Sequence, residues 1–139
     1  MKSIEKWTVG GWLTAGLMAV GIIAAGGGLW AQNPGIKRTI VYTGAVSVPG
    51  REARIASVEI APGANAGRHT HPGDEITYVI EGQGELLVEG QPPLKFKAGD
   101  GFVVKAGMKH DARNTGTRPV KLAAIYVVDK GKPIATPAP

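Results

Sequence analysis

The chain has 139 residues, enough for one domain, and no cysteine, which excludes disulfides, thiolate metal sites, iron–sulfur clusters and cysteine nucleophiles. Its net charge of +5 is scattered, with no block of like charges, so it reads as a solvated basic surface and no nucleic-acid partner is expected. With 21 glycines and 10 prolines, it should be built from many turns rather than long helices.

The N-terminus carries Lys2 and Lys6, then a charge-free stretch from Trp7 to Ala31. A short basic start, an apolar run and small residues near Ala24–Gly26 and Leu29–Ala31 describe a secretory signal over residues 1–31. The alternative is an uncleaved anchor. Trp12 and Trp30 would stand about 27 Å apart along a helix, close to the hydrocarbon thickness of a bilayer. Both readings export the remainder, to the periplasm or the extracellular space. Membrane contact is then expected only through residues 7–31, if they are retained.

Asn33-Pro34-Gly35 marks a linker over residues 32–36. From 37 to 130 the chain reads as a succession of short strands: Arg38 to Thr43, Glu52 to Ile60, Glu75 to Glu81, Glu85 to Glu89, Leu94 to Lys97, Gly101 to Lys105 and Val120 to Val128. Gly82-Gln83-Gly84, between two of these runs, carries a hairpin signal. No helix is expected after residue 35. The fold class is all-β, a small antiparallel barrel or sandwich behind the N-terminal apolar segment. Residues 131–139 are a flexible Pro/Ala-rich tail, unpaired or draped over the surface.

All three histidines fall where a metal site would want them. His69 and His71 form a His-x-His pair, Glu75 follows four residues later, and His110 lies in a second glycine-punctuated segment. Residues i and i+2 of a strand share a face, so the pair projects together. Pro72-Gly73-Asp74 supplies a turn that returns Glu75 to the same interior, and a closed barrel brings in His110 from a distant strand. Imidazole nitrogen with carboxylate oxygen suits a divalent first-row metal: Fe, Mn, Ni, Cu or Zn. Three histidines and one carboxylate leave positions open for water, dioxygen or a chelating substrate. Asp74 reads as a turn residue, Asp111 as a surface or supporting residue, and Asn114 as a partner for backbone at a turn. Arg68, Lys109 and Arg113 flank the histidines and can draw anions toward them. Strand parity puts Thr77 and Val79 on the face of Glu75 and Tyr78 on the other, so Thr77, Val79, Phe102 and Val104 outline a mostly apolar pocket for a small organic ligand.

Gly63, His69, His71, Glu75 and Gly82 stand in the spacing G-x5-H-x-H-x3-E-x6-G, and Gly99, Gly107, His110 and Asn114 in the spacing G-x7-G-x2-H-x3-N. These two motifs resemble those of the cupin superfamily, in its small single-domain bacterial form, over about residues 37 to 130. Lys105 stands where that family has proline. The resemblance implies a small β-barrel or jelly roll, a double-stranded β-helix, with metal held by His69, His71, Glu75 and His110. It also implies a homodimer in which an early strand such as Arg38 to Thr43 pairs with a neighbour. The reaction is left open. An exported metal-dependent enzyme of oxygenase type is expected, with a dioxygenase first and an isomerase or lyase also within the family's range. Glu75 would double there as a base. The alternative is a binding module that holds or senses a metal or small molecule without turnover.

Overall fold

The computed structural model describes residues 33–139, so the expected export signal or anchor at 1–31 lies outside the described residues. Among the described residues there are ten strands and no helix: β1 (Ile36–Ala45), β2 (Arg51–Ile60), β3 (His69–Thr70), β4 (Gly73–Glu81), β5 (Gln83–Val88), β6 (Leu94–Lys97), β7 (Gly101–Val104), β8 (His110–Asn114), β9 (Val120–Asp129) and β10 (Thr136–Pro137). They form two five-stranded antiparallel sheets, in the orders β1-β2-β9-β4-β7 and β10-β3-β8-β5-β6. The all-β expectation holds, and the two sheets make a jelly roll.

Alternation explains how the sheets close on one another. Along β9, Val120, Leu122, Ala124, Tyr126 and Val128 are buried, and the residues between them are not. β4 does the same with Glu75, Thr77 and Val79, while Ile76, Tyr78 and Ile80 are exposed. Inward residues of β2, β7 and β9 meet Leu86, Phe96 and Ala112 of the second sheet in one core. Each large apolar side chain buried there contributes about 1.5–3 kcal/mol.

Three local expectations need correction. The first is the hairpin at Gly82-Gln83-Gly84. β4 pairs with β7 and β9, while β5 pairs with β6 and β8, so the two runs belong to different sheets. Gly82, at φ 85°, turns the chain across the corner, and a Cβ there would press on the Pro119 carbonyl. The second is the turn at Pro72-Gly73-Asp74. β4 already starts at Gly73, which pairs with Val128 so closely that a Cβ would overlap the Val127 carbonyl.

The third is the tail. It is not loose. Thr136 and Pro137 pair with Thr70 and His69, Ala138 N donates to the Arg68 carbonyl at 3.0 Å, and Ala135 is buried. The prolines that suggested disorder are tolerated because β10 is an edge strand, where one side of the backbone needs no ladder partner.

Asn114 ties the end of β8 to the other sheet. Its Nδ2 donates to the carbonyls of Ile60 and Arg118, both at 2.8 Å, and its Oδ1 accepts from Gly116 N at 2.8 Å. Asn114→Ala would leave these groups without their partner. The expected cost is about 2–3 kcal/mol of unfolding free energy, read as a lower urea midpoint with an unchanged slope.

Candidate metal centre

Four buried side chains meet between the sheets. His69 comes from β3 and His110 from β8, directly opposite one another in register, and Glu75 comes from β4 in the other sheet. His71 lies just past the end of β3, on the short link to β4. One donor atom from each residue lies within 4.8 Å of the others, and each residue is under one-tenth exposed.

The imidazoles are held in one orientation by backbone carbonyls. His69 Nδ1 meets the Gly67 carbonyl, His71 Nδ1 the Ile134 carbonyl at 2.6 Å, and His110 Nδ1 the Met108 carbonyl at 2.9 Å. A carbonyl only accepts, so each Nδ1 carries a proton and each Nε2 faces inward, offering a lone pair wherever the ring is neutral. His71 Nε2 lies 3.2 Å from His69 Nε2 and 2.9 Å from Glu75 Oε2, and His110 Nε2 lies 3.2 Å from the same oxygen. Lone pairs at these separations repel unless positive charge sits among them. Metal–nitrogen bonds of about 2.1 Å at right angles place neighbouring donors about 3 Å apart, so the spacing fits one shared divalent ion. Glu75 is oriented for this: Thr77 Oγ1 donates to its other oxygen, Oε1, at 2.8 Å.

The electrostatics agree for His69. Burial, reinforced by the neighbouring His110, lowers His69 to a pKa of about 3, so it is neutral in the fold near neutral pH. Burial works to raise Glu75, but hydrogen bonds from His110 and His71 outweigh it and hold the carboxyl well below the usual range. Those bonds need protons on the two Nε2 atoms, whereas the carbonyls already claim the Nδ1 protons. A neutral, metal-binding trio and a carboxylate served by two imidazoliums are therefore alternatives, and a cation removes the conflict.

Beside the cluster lies a cavity of about 20 Å³, lined by Phe102, Val58, Leu86 and Leu122 together with Arg38 and Tyr126. This refines the expected pocket: Phe102 lines it, Thr77 serves Glu75, and Tyr78 faces away as parity required. Of the larger clefts, one of about 430 Å³ near Gln83, Phe96 and Thr115 includes none of the four donors, and one of about 270 Å³ between Arg68, Glu89 and Lys109 reaches only His110.

Arg38 and Tyr126 were not singled out by the sequence. Tyr126 packs on His71, with ring centroids 4.7 Å apart, and burial followed by the Glu75 charge pushes its hydroxyl well above the usual phenol range. The cations that were singled out pair with acids instead: Arg68 and Lys109 with Glu89, and Arg113 with Asp111. Asp74 lies in β4 rather than in a turn of its own, and its Oδ1 accepts from Ala106 N of the turn before β8 at 2.9 Å.

The chain belongs to the cupin family, whose cupin-domain model matches residues 56–128. Among curated relatives, it is 31% identical over 74 residues to an oxalate-binding protein of Thermotoga maritima, covering 52% of this chain and 60% of the relative. It is 41% identical over 64 residues to acireductone dioxygenase of Rhodopseudomonas palustris, covering 44% of this chain and 38% of the relative. The chain thus spans less than two thirds of the length of either. In three dimensions it resembles a double-stranded β-helix protein of Klebsiella pneumoniae, with a TM-score of 0.62 and 25% identity, over 78% of this chain and 88% of that one.

The two shifts set an acid limit on the metal-free fold. The unfolded chain takes up a proton at His69 below about pH 6.5 and at Glu75 below about 4.5, while the folded chain resists both. Stability should be level from about pH 6.5 to 9 and fall as the pH drops from 6.5 toward 3. Urea midpoints of chelator-treated protein across this range test it, and His69→Gln should flatten the upper part of the slope.

Proposed function

We propose that this chain is a metal-dependent enzyme of oxygenase type acting on a small organic substrate. In this reading His69, His71, Glu75 and His110 hold one divalent transition ion. The supporting observation is the set of three imidazoles bonded to backbone carbonyls through Nδ1, with Nε2 of His71 and His110 on one Glu75 oxygen and Nε2 of His69 beside that of His71. The bound ion would supply Lewis acidity and an open coordination position. The protein's own part is to fix the donors, exclude water through the apolar wall and keep a base at hand. Glu75 would be that base once it leaves the ion, with Thr77 holding the carboxylate through Oε1. The likeness to a dioxygenase supports the oxygenase class. The likeness to an oxalate-binding protein, with the small cavity, supports the second reading: a module that binds without turnover.

Metal analysis of the purified chain is expected to give close to one ion per chain, and His71→Ala to lose it. Oxygen uptake with a panel of small diketones, phenols and sugar acids then separates the readings. Uptake that disappears in His71→Ala supports the enzyme, whereas tight ligand retention without uptake supports the module.

Two proposals concern setting. Residues 1–31 export the barrel, on the strength of Lys2 and Lys6 ahead of an uncharged apolar run. The chain also forms a homodimer through the outer face of the first sheet. There Val103, Ile76, Ile125, Ile55 and Tyr42 stand in register across five strands, next to exposed Tyr78 and Ile80 and to β1, the outer strand of that sheet among the described residues. Light scattering should report a dimer, and Ile76→Lys with Tyr78→Lys should weaken it at least tenfold. A wild-type monomer at high concentration overturns this proposal.

A further inference from the structure

The four donors are shut away from solvent. Each is under one-tenth exposed, and the cavity beside them holds about 20 Å³, little more than one water. An ion or a ligand therefore reaches them only when part of the wall moves. The parts of the wall differ in how firmly they are tied. β1, β2 and β9 run ten residues each and pair along their length. β10 has two residues, lies at the end of its sheet among the described residues, and pairs with β3.

This short strand lies against the histidines. In the β10–β3 register Thr136 faces Thr70 and Pro137 faces His69. Ile134 presents its carbonyl to His71 Nδ1 at 2.6 Å and packs on the core, and Ala135 is buried. Ala138 N donates to the Arg68 carbonyl at 3.0 Å, while Pro137 has no N–H to add to the ladder. Ahead of the strand stands a turn, closed by Lys132 N on the Asp129 carbonyl at 3.2 Å. Gly131 sits in that turn at φ 76°, with open space where a Cβ would be. Few ladder bonds behind a permissive glycine mark the segment that opens at least cost.

We propose that residues 134–138 are a hinged strap, pivoting at Gly131, that lifts off β3 to admit an ion or ligand to the four donors. Lifting would act twice. It uncovers His69 and His71, and it takes away the carbonyl that orients His71. What is admitted rests on the metal-centre reading, but the gating belongs to the strap.

The test clamps the strap or forces it open. The chain has no cysteine, so Thr70→Cys with Thr136→Cys allows one disulfide, across a facing antiparallel pair within bridging reach. Ala135→Glu puts a charge on a buried wall position and drives the strap off without shortening the chain. Thermal unfolding checks that each variant is folded, and the clamp decides if Ala135→Glu is not. Access is read on the chelator-treated full chain as the rate at which diethyl pyrocarbonate modifies the three histidines, located by peptide mapping. The oxidised double variant is expected to react at least tenfold more slowly than its reduced form. Ala135→Glu should react at least tenfold faster than the wild type. Loss of zinc from the loaded chain to a chelator should follow the same order. Equal modification rates in the oxidised and reduced forms overturn the proposal, and if zinc is still bound the metal-centre reading survives it. Gated modification in a chain that binds none of zinc, manganese or iron keeps the strap and removes the metal-centre reading.

Discussion

Three backbone carbonyls decide what the site can be. An imidazole can turn either nitrogen toward a partner, and only the bond at Nδ1 commits Nε2 to the centre. The acceptors are the carbonyls of Gly67, Met108 and Ile134, which lie in three separate stretches of the chain. Gly67 immediately precedes the strand region of His69. Met108 closes the turn that leads into β8. Ile134 belongs to the tail, so the last residues are part of the centre even though none of them is a candidate donor. β10 holds that carbonyl in place by pairing with β3, the strand that carries His69.

The same carbonyls create an electrostatic problem whose solution is a cation. With each Nδ1 proton assigned, the interior holds one carboxylate and three neutral rings whose lone pairs converge. Apolar neighbours such as Val58, Leu86 and Phe102 keep the local dielectric low, which makes any unbalanced charge expensive and any balanced one strong. Protons on His71 and His110 relieve the repulsion at Glu75 but set imidazolium beside imidazolium. A divalent ion held by the four donors would relieve both at once. Ion binding and the integrity of the fold are also coupled, because the donors sit on both sheets.

Much of this was legible in the sequence because the site depends on short-range rules. Period-two alternation puts His69 beside His71 and Glu75 beside Thr77, and it separates Thr77 from Tyr78. Fixed glycine positions mark where the chain turns. What escaped depends on pairing between distant strands. The run through Gly82 looks like a hairpin locally, and only the partners of β4 and β5 show that it crosses between sheets. Arg38 sits in a strand recognisable by composition, yet its inward direction depends on the register with β2 and the irregularity after Ile40. Tyr126 is one of a row of inward residues on β9, and nothing in its neighbours distinguishes a core tyrosine from one that borders a cavity. The tail misled because Pro and Ala usually signal disorder, and its order comes from an edge that the sequence does not display.

Lys105, where the family has proline, shows how the turn before His110 keeps its shape by other means. Met108 N donates to the Lys105 carbonyl at 3.1 Å, Ala106 N to Asp74 Oδ1 at 2.9 Å, and Gly107 N to the His71 carbonyl at 2.9 Å. Two of these bonds come from the segment that carries His71 and Glu75, so the first motif braces the turn of the second. A proline would act chiefly by limiting the unfolded chain, and its absence costs about 0.4–1 kcal/mol in that state without altering native geometry. The ammonium of Lys105, 4.0 Å from Asp74 and largely exposed, adds little. The substitution therefore bears on how readily the barrel forms. Where Met108 presents its carbonyl, and so which nitrogen of His110 faces the centre, is set by Asp74 and by the His71 backbone.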